Sequence, residues 1–266
     1  MSIARPTSEE QVLAAYARDI QAHGRIDLQP PEVVFLRRLR GRWGDVDMLD
    51  LGVGAGRTSH VFASITRSYL GVDISPLLIE RARSVVEEEP GVVEFAVADA
   101  RELEALDRTF DVILFSNAGI DTLSTEDRAR VLEQARAVLR PGGRFAFSCK
   151  SLHGLPLRSP LESLRGRPAH SRAFRALLAL PEARRVRRFN RSVDPGELLA
   201  AGQAMLDDGT HRGDIVMHWV RADRQVAQLE TLGFEVLEVI DWSQRSVDPA
   251  APGRDMALFY LCAPAG

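Results

Sequence analysis

A glycine-rich turn is the first feature of this sequence whose residue types could do chemistry. Leu49–Arg57 reads LDLGVGAGR and overlaps the end of the apolar run Val46–Leu51. Gly52 and Gly54 would let the backbone turn tightly and approach a ligand with no Cβ in the way. The GxGxG spacing is shorter than the GxGxxG of dinucleotide loops, where a helix N-terminus receives a pyrophosphate. The turn therefore predicts a nucleoside ligand without phosphates.

Three aspartates stand at or near the ends of apolar runs. Asp50 precedes the glycine turn, Asp73 follows Tyr69–Val72, and Asp99 follows Val92–Val97. The carboxyl ends of neighbouring parallel strands meet at one edge of a sheet, where open α/β sheets bind their ligands. A carboxylate after the second strand can accept hydrogen bonds from a ribose diol. We therefore expect these three side chains to share one site with the glycine turn.

The elements that must position these side chains are apolar runs alternating with helical patterns between residues 46 and 150. The runs are nearly continuous, as expected for strands covered on both faces. Helix signals lie between them, such as the capping pairs Ser75-Pro76 and Ser124 with Asp127. This alternation predicts a parallel α/β sheet with right-handed crossovers. The predicted strands are Val46–Leu51, Tyr69–Val72, Val92–Val97, Val112–Phe115, Phe145–Phe147, Phe234–Ile240 and Met256–Cys262.

The alternation breaks between residues 151 and 220, which suggests how the chain is organised. We expect one domain with a helical cover over 1–32, a core over 33–150 and 221–266, and an insertion over 151–220 that lies on the binding edge. The insertion shows a helical pattern at Ser171–Leu180 and weak strand patterns at Arg185–Arg191 and Asp214–Val220.

Taken together, these motifs resemble those of the class I S-adenosylmethionine (SAM)-dependent methyltransferases. The resemblance covers residues 46–150 and 226–263 and rests on four elements in order: LDLGVGAGR, Gly71-Val72-Asp73, Ala98-Asp99-Ala100, and Phe110–Ile113 followed by Leu139–Gly143. It implies a three-layer, Rossmann-like α/β fold with seven mostly parallel strands and an antiparallel last strand at Met256–Cys262. It also implies a lid inserted after strand 5, SAM as cofactor and S-adenosylhomocysteine (SAH) as product.

The resemblance implies a role for each residue that matches a family motif. Asp50, Gly52, Gly54 and Gly56 would line the methionine part of SAM. Asp73 would hold the ribose hydroxyls with Ile74 beside it, and Asp99 and the backbone amide of Ala100 would hold the adenine. Asn117 would lie beside the transferable methyl group, and Tyr16 would close over the cofactor.

Methyl transfer from a sulfonium requires an aligned nucleophile and the exclusion of water. A general base is needed only for a hydroxyl or a protonated amine, and histidine is the first choice because its pKa lies near working pH. His153, after the fifth strand, and His218, beside Trp219, are the candidates for this base. Asn117 and Tyr16 complete the candidate catalytic set. No CxxC or HxxxH spacing occurs, so no metal site is predicted.

The charge pattern bears on the methyl acceptor. The formal net charge of -3 gives no whole-chain basic field that would call for nucleic acid. Arg184–Arg191 is locally basic, and if it faces the cleft it would favour a small acceptor with a carboxylate or phosphate. The same stretch could instead grip RNA or an acidic peptide, or form a solvated face of the lid.

Four functions are therefore open. The first is methyl transfer to oxygen or nitrogen of a small, specialised metabolite, and the second is methylation of RNA or a peptide. The third is a Rossmann nucleotide-binding protein that is not a methyltransferase, such as a nicotinamide oxidoreductase, and the fourth is a SAM binder without catalysis. The [D/N]PP[Y/F] motif of amine-directed DNA methyltransferases is missing at 116–120.

Several features predict a cytoplasmic protein without a membrane partner, and the oligomeric state stays open. No apolar run approaches the roughly 18 residues of a membrane span, and the first residues have no apolar leader. The two cysteines, Cys149 and Cys262, suit a reducing compartment.

Overall fold

The computed structural model describes residues 7–18, 28–89, 91–155, 194–207 and 215–266. Within these ranges the strands are β1 Asp47–Leu51, β2 Ser68–Asp73, β3 Val93–Val97, β4 Phe110–Phe115, β5 Leu139–Ser151, β6 Gln203–Leu206, β7 Met217–Val220, β8 Phe234–Ile240 and β9 Ala257–Pro264. The helices are α1 Glu9–Arg18, α2 Pro30–Arg38, α3 Ser59–Phe62, α4 Pro76–Arg83, α5 Thr125–Val138, α6 Pro195–Ala201 and α7 Ala222–Thr231.

Five parallel strands build the half of the sheet that carries the predicted ligand edge. Their order is β3-β2-β1-β4-β5, so the direction of winding reverses between β1 and β4. Open α/β sheets bind ligands at such a switch point, beyond the carboxyl ends of the strands. β9 pairs antiparallel with β5, and β8 pairs antiparallel with β9. The predicted α/β fold, with a mostly parallel sheet and an antiparallel last strand, is confirmed.

Local sequence signals fix where two helices begin. The Ser75 hydroxyl accepts a hydrogen bond from the Leu78 N–H at 3.4 Å, and Pro76 is the first residue of α4. The Ser124 hydroxyl accepts from the Asp127 N–H at 3.1 Å at the start of α5. Both predicted caps are confirmed, and α4 and α5 follow strands whose carboxyl ends face the switch point.

The sheet differs from the seven-stranded prediction by a hairpin from the insertion. β6 and β7 pair antiparallel, and β7 runs parallel to the last residues of β5, with Trp219 opposite Lys150 and Val220 opposite Ser151. The pattern at Asp214–Val220 corresponds to β7, whereas the four residues of β6 are too few to show a strand period. The patterns at Ser171–Leu180 and Arg185–Arg191 lie outside the described residues.

Apolar side chains fill both faces of the sheet and make three layers. One face buries Val131, Leu132 and Leu229 of α5 and α7 against the aromatic rings of β5. The other face buries Phe35, Phe62 and Ile79 of α2, α3 and α4.

The division into cover, core and insertion stays a prediction. Within the described ranges, the longest apolar helix falls short of what crossing a membrane requires.

Candidate cofactor site

A cavity of about 460 Å³ opens at the carboxyl ends of the parallel strands, at the switch point. Most of the residues predicted to bind the cofactor line this one space. They are Asp50, Gly52, Gly54, Asp73, Ile74, Asp99, Ala100 and Asn117. Val12 and Leu13 of α1 and Gln29 before α2 also line it, so the N-terminal segment forms one wall. The structure therefore brings the turn, the strand ends and the predicted cover together, while the binding roles of these residues stay predictions.

The glycine turn presents bare backbone to the cavity. Gly52 and Gly54 both adopt φ of 58°, a conformation that L side chains rarely take. A Cβ on Gly52 would meet the Phe115 ring at 2.8 Å, whereas a Cβ on Gly54 would meet protein only at 3.9 Å and would project into open space. Gly56 differs, because a Cβ there would meet the Cα of Ala82 at 3.1 Å. Gly56 is not among the lining residues, and its contact instead lets the turn pack against α4.

Asp50 is buried beneath the turn in a network of hydroxyl groups. Its carboxylate accepts hydrogen bonds from the Thr58 hydroxyl at 2.5 Å and from the Tyr69 hydroxyl at 2.7 Å. Burial raises the pKa of Asp50 to about 6, and these two hydrogen bonds offset part of the rise. The group is therefore an anion at neutral pH that becomes neutral in mildly acidic solution.

Asp73 ties the end of β2 to the glycine turn. One carboxylate oxygen accepts the Gly54 N–H and the other accepts the Ser75 N–H, both at 2.9 Å. Burial raises the pKa of Asp73 above its usual value, while these backbone N–H groups act in the opposite direction. The side chain thus holds the turn and still lines the cavity, where an acceptor for ribose hydroxyls is expected.

Asp99 is already engaged by a neighbouring cation. The Arg101 guanidinium donates to both carboxylate oxygens from Nε at 2.9 Å, and the Arg101 backbone N–H donates at 2.8 Å. Burial raises the pKa of Asp99, but the bonds from Arg101 outweigh it and leave the pKa below its usual value. An adenine amino group would have to share this carboxylate with Arg101, which also lines the cavity.

The end of β4 holds an unusual backbone. Asn117 and Ala118 have φ of 59° and 58°, and two successive non-glycine residues in this region are strained. The strain is held by the Ala118 N–H, which donates to the Ser148 hydroxyl at 2.9 Å, and by the Gln29 side-chain amide, which donates to Asn117 Oδ1 at 2.7 Å. This backbone exposes Asn117 at the cavity wall, as its predicted position beside the methyl group requires.

A buried ion pair beside the turn escaped the sequence analysis. Glu32 of α2 is fully buried, and its carboxylate receives both terminal nitrogens of the Arg57 guanidinium at 2.6 Å. The only sequence signal is the position of Glu32 in the first turn after Pro30-Pro31, where an acid can accept the N-cap N–H. Its pairing with Arg57 depends on the tertiary fold and leaves no local pattern.

The two candidate histidines do not line the cavity. His218 lies in β7 with 2% of its surface exposed, and neither ring nitrogen has a hydrogen-bond partner among the described residues. Burial, together with the charges of Arg128 and Arg224, lowers its pKa to about 3. The half-buried His153, in the short helix after β5, has its pKa lowered by burial as well. Position and basicity both fail to support the predicted role of these histidines as general base.

Three other sequence features stay predictions. Tyr16 falls within α1, one turn after the cavity-lining Val12 and Leu13, but its side chain is outside the described part of the structure. His211, noted beside His218, and the basic stretch Arg184–Arg191 lie outside the described residues.

Comparison with known proteins identifies the domain that builds this cavity. Residues 48–143 match the family model of a methyltransferase domain, which spans the glycine turn, all three aspartates and β1 to β4. Over these residues the chain is therefore similar to methyltransferase domains, and it shares its fold with a solved SAM-dependent methyltransferase.

Two relatives show how far the similarity extends. An uncharacterized protein of Mycobacterium tuberculosis is 26% identical over 162 residues, which are 58% of this chain and 58% of the relative. The 27-O-demethylrifamycin SV methyltransferase of Amycolatopsis mediterranei is 37% identical over 104 residues, which are 38% of this chain and 37% of that enzyme. This chain thus spans little more than half the length of the first relative and a smaller share of the second.

The fold is shared with solved structures at low sequence identity. A crystal structure of a SAM-dependent methyltransferase from Mesorhizobium loti superposes with a TM-score of 0.59 at 19% identity, covering 88% of this chain and 97% of that one.

The residues around the cavity fit SAM, the cofactor of this family. Gly54 leaves room where a Cβ would stand, as close approach of a ligand to the backbone requires. Asp73 and Asp99 are hydrogen-bond acceptors at the ends of β2 and β3, where a ribose and an adenine amino group need them.

Proposed function

We propose that this protein transfers the methyl group of SAM to an oxygen or nitrogen atom of a small-molecule acceptor. One observation carries the proposal. A single cavity at the switch point is lined by the backbone of the glycine turn and by the aspartates that end three neighbouring strands. When bound, SAM supplies a methyl group already activated by a sulfonium, so the chain must bind the donor, align the acceptor and exclude water.

The charge of the lining supports a cationic donor. Among the described residues the cavity wall carries Asp50, Asp73, Asp99 and Asp127 against Arg57 and Arg101. With Glu32 directly behind Arg57, carboxylates outnumber guanidiniums around the space. A negative, water-poor wall favours a ligand that bears a sulfonium over an uncharged one.

The acceptor chemistry is narrowed by what the described lining offers. It contains no histidine and no lysine. A general base is needed only when the acceptor must lose a proton to react, so a neutral amine or a readily ionised hydroxyl can react at this wall without one, and for other acceptors the carboxylates of the wall are the candidate bases. The apolar side chains of Val12, Leu13 and Leu123 beside Asn117 favour an acceptor with a hydrophobic body.

The names of relatives point the same way. The Amycolatopsis enzyme is by its name a methyltransferase of 27-O-demethylrifamycin SV, a small molecule, and it matches this chain over 104 residues. We therefore propose a small, hydrophobic metabolite as acceptor. The basic stretch at 184–191 favours an anionic group on that metabolite, and this part of the proposal has no other support.

Donor binding is the first test. Isothermal titration with SAM should give saturable binding at one site, and NADH under the same conditions should give none. Absence of SAM binding, or binding of NADH instead, would reject the proposed function.

The acceptor is tested with a panel of amines, phenols, alcohols and their carboxylated analogues. Mass spectrometry should detect the gain of one methyl group on a small molecule together with the formation of SAH. The same assay with total RNA and with acidic peptides is expected to give no methylated product. Methylation confined to RNA or peptide would replace the small-molecule acceptor.

A further inference from the structure

Glu32 joins the N-terminal segment to both sides of the donor cavity. Its carboxylate receives the Arg57 guanidinium at 2.6 Å and the Gln29 backbone N–H at 2.6 Å, and it accepts the hydroxyl of Ser116. Arg57 follows the glycine turn, and Ser116 follows β4. One buried group therefore holds the start of α2, the turn and the strand end in one arrangement.

The contacts continue from Glu32 to the place where the acceptor must lie. Gln29, whose N–H donates to Glu32, donates through its side-chain amide to Asn117 Oδ1 at 2.7 Å. Gln29, Arg57, Ser116 and Asn117 all line the cavity, while Glu32 itself lies behind them. The Glu32 carboxylate does not itself line the cavity. It bonds directly to three of these lining residues and holds the fourth, Asn117, through Gln29.

The environment makes this carboxylate difficult to replace. Glu32 is 0% exposed, and the Arg57 side chain is 16% exposed. A buried charge is tolerated only when it is paired and fully hydrogen-bonded, and removal of one partner leaves the other uncompensated. Loss of the Glu32 charge would therefore leave the Arg57 guanidinium to rearrange next to the glycine turn.

We propose that Glu32 is a positioning residue for methyl transfer, which sets the geometry of the donor cavity through Arg57 and of Asn117 through Gln29. This inference rests on the proposed function, because it assigns Glu32 to the same cavity. It also makes the start of α2 and the donor site a coupled unit. By reciprocity, donor binding then increases the order of α2 by the same free energy with which an ordered α2 strengthens donor binding.

The chain offers a matched control on the same helix. Arg38, at the end of α2, forms a two-fold hydrogen-bonded pair with Glu238, and both bonds are 2.8 Å long. This pair is at the surface, with 55% of the Arg38 side chain exposed. Glu32→Gln and Glu238→Gln thus make the same chemical change in two Arg–Glu pairs that each include one residue of α2. Only the pair of Glu32 with Arg57 borders the cavity.

The test measures SAH binding and hydrogen exchange in the wild type and both variants. In the wild type, SAH should slow exchange of the amides over Gln29–Leu39, and Glu238→Gln should behave alike. Glu32→Gln should weaken SAH binding by at least about tenfold and abolish the SAH-dependent protection of this segment. The double variant Glu32→Gln with Arg57→Gln should recover part of the lost affinity, because the half-buried guanidinium that lost the Glu32 carboxylate is then removed as well.

Two further arms separate positioning from general stability. Should Glu32→Gln fail to fold, Gln29→Ala removes the side-chain amide that donates to Asn117 and leaves the Glu32–Arg57 pair in place, and it should lower kcat more than it raises the KM for SAM. The inference would be overturned if a folded Glu32→Gln variant kept the wild-type SAH affinity and SAH-dependent protection. It would also be overturned if Gln29→Ala changed kcat and the KM for SAM by equal factors. If the wild type binds no SAH, the proposed function fails instead of this inference. In that case the amide hydrogens of Gln29–Leu39 should still exchange faster in ligand-free Glu32→Gln than in the wild type, which reports how Glu32 holds α2.

Discussion

Three aspartates at the ends of neighbouring strands hold different partners around one cavity. Asp50 accepts two hydroxyl groups, Asp73 accepts two backbone N–H groups, and Asp99 pairs with a guanidinium. Of the three, Asp73 alone is bonded to the glycine turn, through the Gly54 N–H. Its loss should therefore affect the ligand and the turn together.

Asp73→Ala is expected to weaken SAM binding by about 1–3 kcal/mol, because buried hydrogen-bonding groups lose their partner. Isothermal titration measures the change. Asp248→Ala is the control, since Asp248 caps the Ala250 N–H at 2.9 Å in an exposed turn after β8. An unchanged dissociation constant for Asp73→Ala would show that the ribose lies elsewhere.

Asp50 should make donor binding depend on pH. Its pKa is about 6 in the folded protein, above the usual value, so the carboxylate is ionised at pH 7 and becomes protonated in mild acid. SAM affinity should therefore rise between about pH 5 and pH 7 and then level off, since the anion attracts the cationic donor. SAH, which lacks the sulfonium charge, should show a smaller change.

The raised pKa of Asp50 also makes the free energy of unfolding depend on pH, but in the direction opposite to that of SAM binding. A carboxyl with a raised folded pKa contributes stability in acid, and this contribution is lost as the pH rises from about 4 through about 6. Asp50→Asn should flatten both the binding profile and this part of the stability profile. A SAM affinity that stays constant across this range in the wild type would mean that Asp50 does not sense the donor.

Single residues were predictable from the sequence where a local pattern defines them. Asp73 and Asp99 each end an apolar run, so their meeting at one edge follows from the parallel sheet. The pairing of Glu32 with Arg57 was not predictable, because it joins two segments 25 residues apart through tertiary packing. The burial of His218 likewise depends on tertiary packing, which covers both faces of β7.

At the scale of elements, a buried ion pair connects the region after β4 with α5 and β5. Arg128 of α5 donates to Asp121 at 2.6 Å, and these side chains are 1% and 0% exposed. The other oxygen of Asp121 accepts the Lys150 backbone N–H at 2.7 Å, and Arg128 also donates to Gln225 of α7. One pair, whose side chains do not line the cavity, thus ties four elements together.

Asp121→Asn is expected to lower the free energy of unfolding by about 3–5 kcal/mol, because Arg128 would keep an uncompensated buried charge. Urea unfolding measures this loss. Arg38→Gln, which removes the exposed partner of Glu238, should cost no more than about 1 kcal/mol. Equal losses in the two variants would contradict the assignment of Asp121–Arg128 as a buried link.

Elements with a strong period or cap could be predicted, and those with neither could not. β8 has the predicted bounds Phe234–Ile240, and α5 begins at the predicted cap Ser124. β6 gives no signal because it is four residues long and depends on β7 for its pairing. The wall formed by α1 and Gln29 was expected only as a cover, since its contacts with the cavity are made by tertiary packing.

At the scale of the whole molecule, a bound ligand should stabilise the entire fold. SAH at about one hundred times its dissociation constant adds about 2.7 kcal/mol to the free energy of unfolding. The midpoint of thermal unfolding should therefore rise with SAH concentration, and NAD should leave it unchanged. A midpoint that does not respond to SAH would contradict donor binding by the folded chain.

The last residues of β5 have partners on both sides, because Lys150 pairs with β9 on one side and with β7 on the other. β9 pairs along Phe145–Lys150, and β7 pairs only with the last two residues, Lys150 and Ser151. Exchange of the β6–β7 hairpin should therefore leave the register of β1, β2 and β3, which end at the glycine turn or at an aspartate, unchanged. For enzyme engineering, chimeras that take the residues between Ser151 and Arg221 from a second parent should keep the donor affinity of the first.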